Sequence, residues 1–297
     1  MSEVRTRLRG SLFHTITRVA FIRLILFFVL PVTAYVGAQL ALPQIAKHVP
    51  KDNAQVVVLA AAFGLCLLMV GVYTLLVRWV EGRHARELSP FRGLPLVIGG
   101  AVFGFALFCA VYAVLWAMGI AHWQGMTGIA VATSVVIVAA VSAVGEELIM
   151  RGGVFRILED SFGTMVALIL SAALFGLLHA FNHGATTVST VAIALEAGVL
   201  LGAAYAVSRN LWLPIGLHFG WNFTEGGVFG AAVSGGGGGK GLVSMPLTGP
   251  DLLTGGAFGP EASVVTVAVC FLAALVLIVL TIRSRRWVRL SFHMMLD

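Results

Sequence analysis

The chain has 297 residues, of which 59% are hydrophobic and only 11% are charged, and its mean hydropathy is +0.98. Because a soluble globular domain carries roughly 25% charged residues, this composition excludes an ordinary water-soluble protein. It indicates an all-α fold in which residues 1–297 form one integral membrane domain. The length suits a bundle of about eight transmembrane helices of roughly 20 residues each.

The first three predicted spans are apolar runs at about 24–42, 54–77 and 94–120. Five arginines precede the first run, so a cleaved signal peptide is one interpretation of this region. The apolar core of a signal peptide has roughly 7–15 residues, however, and this run is longer. We therefore predict that the first span is retained. A polar, arginine-rich loop should separate the second span from the third.

The fourth predicted span covers about 128–158 and carries three charged residues. The residue types in Glu159–Gly163 predict a turn. The fifth span is predicted at about 164–181, and Asn182-His183-Gly184 is typical of the end of a helix. The fourth and fifth spans should therefore form a helical hairpin.

The last three spans are predicted at about 186–207, 214–230 and 262–282. Pro214 falls in the first turn of the seventh span, where proline is tolerated. Segment 231–260 contains five consecutive glycines and is expected to be a flexible loop outside the membrane.

The positive charges are distributed unevenly along the chain. Of its 19 Lys and Arg residues three are lysines, so 16 are arginines. If both termini are cytoplasmic, eight spans place every arginine on or near the cytoplasmic side, while Lys47, Lys51 and Lys240 fall in outside loops. The positive-inside rule predicts this bias. The charge therefore indicates a multi-pass protein of a membrane, the cell membrane in a prokaryote, and no nucleic-acid partner.

The three cysteines suggest no special chemistry. Cys66, Cys109 and Cys270 each lie alone within an apolar run. They show neither paired metal-binding spacing nor a disulfide framework, so we interpret them as buried apolar residues.

The most informative stretch is Glu146-Glu147-Leu148-Ile149-Met150-Arg151, at the end of an otherwise apolar run. One charge at the centre of a membrane helix costs about 2.5–3.5 kcal/mol, so intramembrane acids indicate function. Glu147 and Arg151 are four residues apart and can pair on one helix face. Glu146 is rotated by about 100° and is left as the candidate reactive carboxylate.

A histidine in the following span can meet Glu146 across the hairpin. Glu146 lies 16 residues before Phe162 in the predicted turn, and His179 lies 17 residues after it. In regular antiparallel helices both groups lie about 25 Å from the turn. A carboxylate and an imidazole at equal depth can hold and activate one water molecule.

The seventh span carries His218 and Asn222, which are four residues apart and share a helix face. Both side chains can donate hydrogen bonds, which stabilising an oxyanion requires. Glycines in the same span should permit close approach of a neighbouring helix. They are Gly216, Gly220, Gly226 and Gly227.

Together the three motifs resemble the CPBP intramembrane proteases, which include the type II CAAX prenyl proteases and bacteriocin-processing relatives. The shared pattern is Glu-Glu-x-x-x-Arg, then Phe-x-x-x-His, then His-x-x-x-Asn, and here it covers about residues 130–225. The resemblance implies that this region is the catalytic core. It implies that Glu146 and His179 activate water, that His218 and Asn222 stabilise the oxyanion, and that Glu147 and Arg151 form a supporting pair.

The leading hypothesis is an intramembrane endopeptidase of the glutamic type that needs no cofactor. Its partners would be the lipid bilayer and a membrane-associated protein or peptide, either prenylated or of the leader-peptide type. A metal-dependent version is an alternative, because Glu146, His179 and His218 offer a donor set that suits zinc. Intramembrane Glu and His also occur in transporters and proton relays, and a non-catalytic scaffold is a further alternative.

Two more polar residues have no place in the motifs. Glu196 lies in the middle of the sixth span, where we expect a buried hydrogen-bond partner for the site or, alternatively, a substrate contact. His183 follows His179 by four residues, a spacing that suits zinc on a helix. Since His183 lies within the predicted helix end, we favour a histidine at the membrane interface.

Overall fold

The computed structural model of the protein describes residues 20–127 and 132–290. The N-terminal arginines Arg5, Arg7, Arg9 and Arg18 and the predicted start of the fourth span at 128–131 lie outside the described residues. Six described stretches are long and apolar enough to cross a membrane. They are Ala20–His48, Asp52–Val80, Gly93–Ala117, Val135–His179, Thr187–Ser208 and Val264–Arg283. The predicted all-α, multi-pass architecture is confirmed, and the predicted count of eight spans stays a prediction.

The α-helices are α1 (Ala20–His48), α2 (Lys51–Val80), α3 (Gly93–Ala117), α4 (Ala132–Glu147), α5 (Arg156–His179), α6 (Thr187–Ile193), α7 (Val199–Ser208), α8 (Trp212–Asn222), α9 (Asp251–Thr254) and α10 (Val264–Arg283). π-Helical segments join or extend them at Leu148–Phe155, Ala194–Gly198 and Phe223–Val228. Short 3₁₀ turns lie at Arg86–Leu88, Pro90–Arg92 and Pro260–Ala262. The only regular strands in the described residues, β1 (Gly125–Met126) and β2 (Val243–Ser244), pair antiparallel.

The Val135–His179 stretch is bent at Gly163. Its 45 residues would extend about 68 Å as one straight helix, more than twice the hydrocarbon thickness of about 30 Å. Gly163 has φ 80°, which favours glycine, and it separates two helical arms. The predicted turn over Glu159–Gly163 is therefore corrected: residues 159–162 remain helical, and the break is confined to Gly163.

α3 and α8 pack with their backbones in direct contact. Added Cβ atoms at Gly100 and Gly104 of α3 would overlap backbone atoms of α8, and those at Gly216 and Gly220 of α8 would overlap backbone atoms of α3. The predicted close approach at Gly216 and Gly220 is confirmed. It fixes the position of the helix that carries His218 and Asn222.

Charged side chains form an ion-pair network at one end of the bundle. Glu81, after the end of α2, accepts from Arg23 of α1 at 2.6 Å and lies 2.9 Å from Arg156 at the start of α5. Arg209, after α7, pairs with Glu159 of α5. The ends of several helices therefore meet at one arginine-rich face, whose assignment to the cytoplasmic side stays a prediction.

The glycine-rich segment 231–260 folds against the rest of the protein. Its Gly235 N–H donates to the Phe258 carbonyl at 2.8 Å, and the Leu242 N–H donates to the Gly227 carbonyl at 2.8 Å. The segment also contains β2 and α9. Its flexibility and its position outside the membrane stay predictions.

Candidate active site

The four predicted catalytic side chains line one cavity of about 920 Å³. Glu146 comes from α4, His179 from the end of α5, and His218 and Asn222 from α8. One face of α1 forms another wall of the same cavity, with Phe28, Val32, Tyr35, Val36 and Gln39. Part of the glycine-rich segment completes the lining, with Ala231, Val233, Ser234, Gly235, Gly236, Gly237, Gly239 and Lys240.

The two oxygens of Glu146 have different surroundings. Oε1 accepts a hydrogen bond from the Tyr35 hydroxyl at 2.9 Å. Oε2 has no hydrogen-bond partner among the described residues, and it lies 4.0 Å from Nε2 of His218. The Glu146 side chain as a whole is 19% exposed and lines the cavity, while Oε2 itself is buried.

Glu147 and Arg151 form the ion pair that their spacing predicts. The pair is fully buried, and Nη1 of Arg151 donates to Oε1 of Glu147 at 2.9 Å. Nη2 of Arg151 donates to the carbonyls of Ala197 and Gly198, both at 3.0 Å. Both carbonyls lie in the π-helical segment Ala194–Gly198, where the regular pattern of helix hydrogen bonds is interrupted. Arg151 therefore joins the fourth span to the sixth.

His218 is held by the second of the two adjacent glutamates. Its Nδ1 lies 3.1 Å from Oε1 of Glu147. Because a carboxylate only accepts, Nδ1 carries the proton and Nε2 is directed towards Glu146.

His179 lines the same cavity and has a different hydrogen-bond partner. Its Nδ1 donates to the Phe175 carbonyl at 2.8 Å. In the neutral ring the lone pair is then on Nε2, which can accept a proton. His179 and Glu146 line the same cavity from the two arms of the hairpin, as their spacing from the turn predicts.

Residues 128–224 match the family described as Rce1-like type II CAAX prenyl endopeptidase. This segment, about a third of the chain and called the Rce1-like domain below, is similar to that endopeptidase family. The family consists of intramembrane proteases, which are hydrolases that act on peptides. No curated protein and no solved structure gives a significant match to the chain.

α1 lies outside the Rce1-like domain, and the sequence analysis assigned it no functional residue. Its Tyr35 nevertheless touches Glu146 directly, and Gln39 donates to the Tyr35 hydroxyl at 2.9 Å. The sequence could have indicated this contact, because Tyr35 and Gln39 are polar residues four apart in an apolar span. Polar side chains in a membrane span face the protein interior.

Glu196, inside the Rce1-like domain, is buried as predicted. Neither of its carboxylate oxygens has a hydrogen-bond partner among the described residues, and its role as a hydrogen-bond partner of the site or as a substrate contact stays a prediction. Glu196 lines a small cavity of about 20 Å³ together with His179, His218 and Asn222. A space of this size holds about one water molecule.

A further buried acid, Glu261, connects the glycine-rich segment to α8. Its Oε2 accepts from the backbone N–H and the hydroxyl of Ser234, both at 2.7 Å. Its Oε1 accepts from the indole N–H of Trp221 at 3.1 Å. Since Trp221 precedes Asn222, Glu261 helps to hold both the cavity lining and the end of α8.

The alternative zinc set receives no support from the geometry. α5 ends at His179, so His183 lies beyond the helix and the helical spacing of the two histidines does not apply. Within residues 20–127 and 132–290, no three His, Cys, Asp or Glu side chains are arranged to hold a metal ion. The metal-dependent alternative with Glu146, His179 and His218 stays a prediction, and we assign no step of the chemistry to a metal.

Proposed function

We propose that the protein is an intramembrane endopeptidase in which Glu146 and His179 activate the water that attacks the peptide bond. The supporting observation is that Glu146, whose Oε2 has no hydrogen-bond partner among the described residues, lines one cavity together with His179, His218 and Asn222. The Rce1-like match over residues 128–224 supports the same class of reaction.

In the proposed reaction, the water oxygen forms a bond to the scissile carbonyl carbon while its proton passes to Glu146. Oε2 is the accepting atom, because Oε1 is occupied by the Tyr35 hydroxyl. Nε2 of His179 accepts the second hydrogen of the water as a hydrogen bond and orients it. The carbon–nitrogen bond then breaks, and the proton on Glu146 moves to the leaving amine.

His218 and Asn222 serve as oxyanion donors in this proposal. The amide of Asn222 can donate in its neutral form. Because Nδ1 of His218 already donates to Glu147, the ring can donate from Nε2 only when it carries both protons. Glu147 therefore acts through His218, since its negative charge stabilises the imidazolium that a developing oxyanion requires.

The substrate in this proposal is a membrane-associated peptide or protein. The cavity wall formed by α1 is mainly apolar, with Phe28, Val32 and Val36, which suits a chain segment at or within the bilayer. Both prenylated and leader-peptide substrates are compatible with such a wall.

The test is cleavage of a membrane-peptide library by the purified full chain in detergent, with products identified by mass spectrometry. We expect Glu146→Gln and His179→Gln each to lower the rate at least about 100-fold, the usual contribution of general acid–base groups. His183→Gln is the matched control, because His183 lines the same cavity beyond the end of α5 and should leave most activity. Full activity of either catalytic variant would contradict the proposal.

A further inference from the structure

The first helix contributes a side chain to the site although it lies outside the Rce1-like domain. The hydroxyl of Tyr35 donates to Oε1 of Glu146 at 2.9 Å and lies 3.3 Å from the hydroxyl of Ser142. Of these two acceptors the carboxylate is the stronger, because hydrogen bonds to charged groups are shorter and stronger than neutral ones. Tyr35 is thus bonded to the carboxylate that the proposed function makes the base.

Gln39 fixes the direction of this hydrogen bond. One turn further along α1, its amide donates to the Tyr35 hydroxyl oxygen at 2.9 Å. The hydroxyl therefore accepts from Gln39 and donates to Glu146, so its hydrogen has a defined direction. The chain Gln39–Tyr35–Glu146 joins α1 to α4.

The backbone next to Glu146 is shaped to accept the tyrosine ring. An added Cβ atom at Gly145 would overlap the ring of Tyr35. Gly145 is buried and helical, where glycine costs about 1 kcal/mol relative to alanine. Glycine at position 145 is therefore explained by the space that the Tyr35 ring occupies, and not by a turn of the backbone.

We propose, on the basis of the proposed function, that Tyr35 is a positioning residue for the catalytic carboxylate. Its bond occupies Oε1 and fixes the rotation of the carboxylate plane. The other oxygen, Oε2, then stays without a partner among the described residues, 4.0 Å from Nε2 of His218. The Rce1-like domain is completed by the first helix, which supplies both a cavity wall and this contact.

The kinetic test is Tyr35→Phe, which removes the hydroxyl and keeps the ring. We expect kcat to fall about 10- to 100-fold, the range for loss of a hydrogen bond to a charged group, while KM changes little. Tyr112→Phe is the matched control, because Tyr112 stacks on Phe229 and does not line the large cavity. Unchanged kcat in Tyr35→Phe, or a rise in KM alone, would overturn the proposal.

A second variant and a second measurement make the result independent of folding and of cleavage. Gly145→Ala should displace the ring and lower kcat in the same way, while Glu146→Gln combined with Tyr35→Phe should be no slower than Glu146→Gln.

Labelling of Glu146 by a hydrophobic carbodiimide, read by mass spectrometry, needs no substrate. Because the hydroxyl occupies Oε1, its removal frees a second oxygen, and Glu146 in Tyr35→Phe should be labelled several-fold faster than in the wild type. Equal labelling rates would overturn the role of Tyr35 even if the protein cleaved nothing.

Discussion

Two glutamates that are neighbours in the chain have separate surroundings in the structure. Glu147 is fully buried and its Oε1 accepts from both Arg151 and His218. Glu146 faces a cavity and keeps one oxygen without a partner among the described residues. The 100° between successive residues of a helix is enough to direct one acid into the protein and the other towards a substrate.

Removal of Arg151 should destabilise the fold. Arg151→Ala would leave Glu147 as a buried charge without its cation and two backbone carbonyls without a donor. Breaking a buried pair in this way costs about 3–5 kcal/mol. The free energy of unfolding, measured by denaturant titration in detergent, checks the expected loss.

Arg78→Ala is a matched control for this measurement, because the Arg78 side chain is exposed at the end of α2. It should change the free energy of unfolding by less than about 0.5 kcal/mol. A value for Arg151→Ala as small as that of the control would mean that the pair does not support the fold.

At the scale of helices, contact between α3 and α8 depends on glycines that face each other. Gly100→Ala should overpack this contact, because the added methyl would overlap Leu213 and Leu217 of α8. Overpacking costs about 1–3 kcal/mol. The variant should also lose activity, since the shift of α8 moves His218 and Asn222.

The preceding residue provides the control for this substitution. Gly99 lies on the same helix, and an added Cβ there has no atom within 4 Å. Gly99→Ala should therefore be neutral or slightly stabilising, because alanine favours a helix. Equal stabilities of the two variants, measured by thermal unfolding in detergent, would contradict the assigned role of Gly100.

The presence of the helices and the positions of the motif residues could be predicted from the sequence, because both depend on the local pattern of residues. Apolar runs predict the helices, and spacing of four residues predicts both the Glu147–Arg151 pair and the shared face of His218 and Asn222. The restriction of the break to Gly163 could not be predicted, since Glu159–Phe162 contains residues that are common in turns as well as in helices. The contact of Tyr35 with Glu146 depends on tertiary packing over more than 100 positions of the chain.

For the whole molecule, one arginine-rich face is stabilised by ion pairs between helix ends. Glu87, in the 3₁₀ turn after α2, accepts from Arg83 at 2.8 Å and from the Tyr73 hydroxyl at 2.6 Å. Glu81 pairs with Arg23, Arg83 and Arg156. The network therefore ties α1, α2 and α5 together.

Stability should consequently fall in acid. Burial raises the pKa of Glu81, but Arg156, Arg23 and Arg83 outweigh it and hold the pKa below its ordinary value. Burial likewise raises the pKa of Glu87, and hydrogen bonds from Arg83 and Tyr73 lower it further than burial raises it. Each acid with a lowered pKa contributes stability above its unfolded pKa of about 4.3 and loses it as the pH falls through the folded value. The free energy of unfolding in detergent should thus be constant near neutral pH and decline below about pH 5. Glu81→Gln should have a lower free energy of unfolding at neutral pH, and this free energy should decline less in acid than that of the wild type. Asp251→Asn is the control, because Asp251 is exposed, and its pH dependence should follow that of the wild type. An acid decline of the same size in Glu81→Gln as in the wild type would show that other groups cause it.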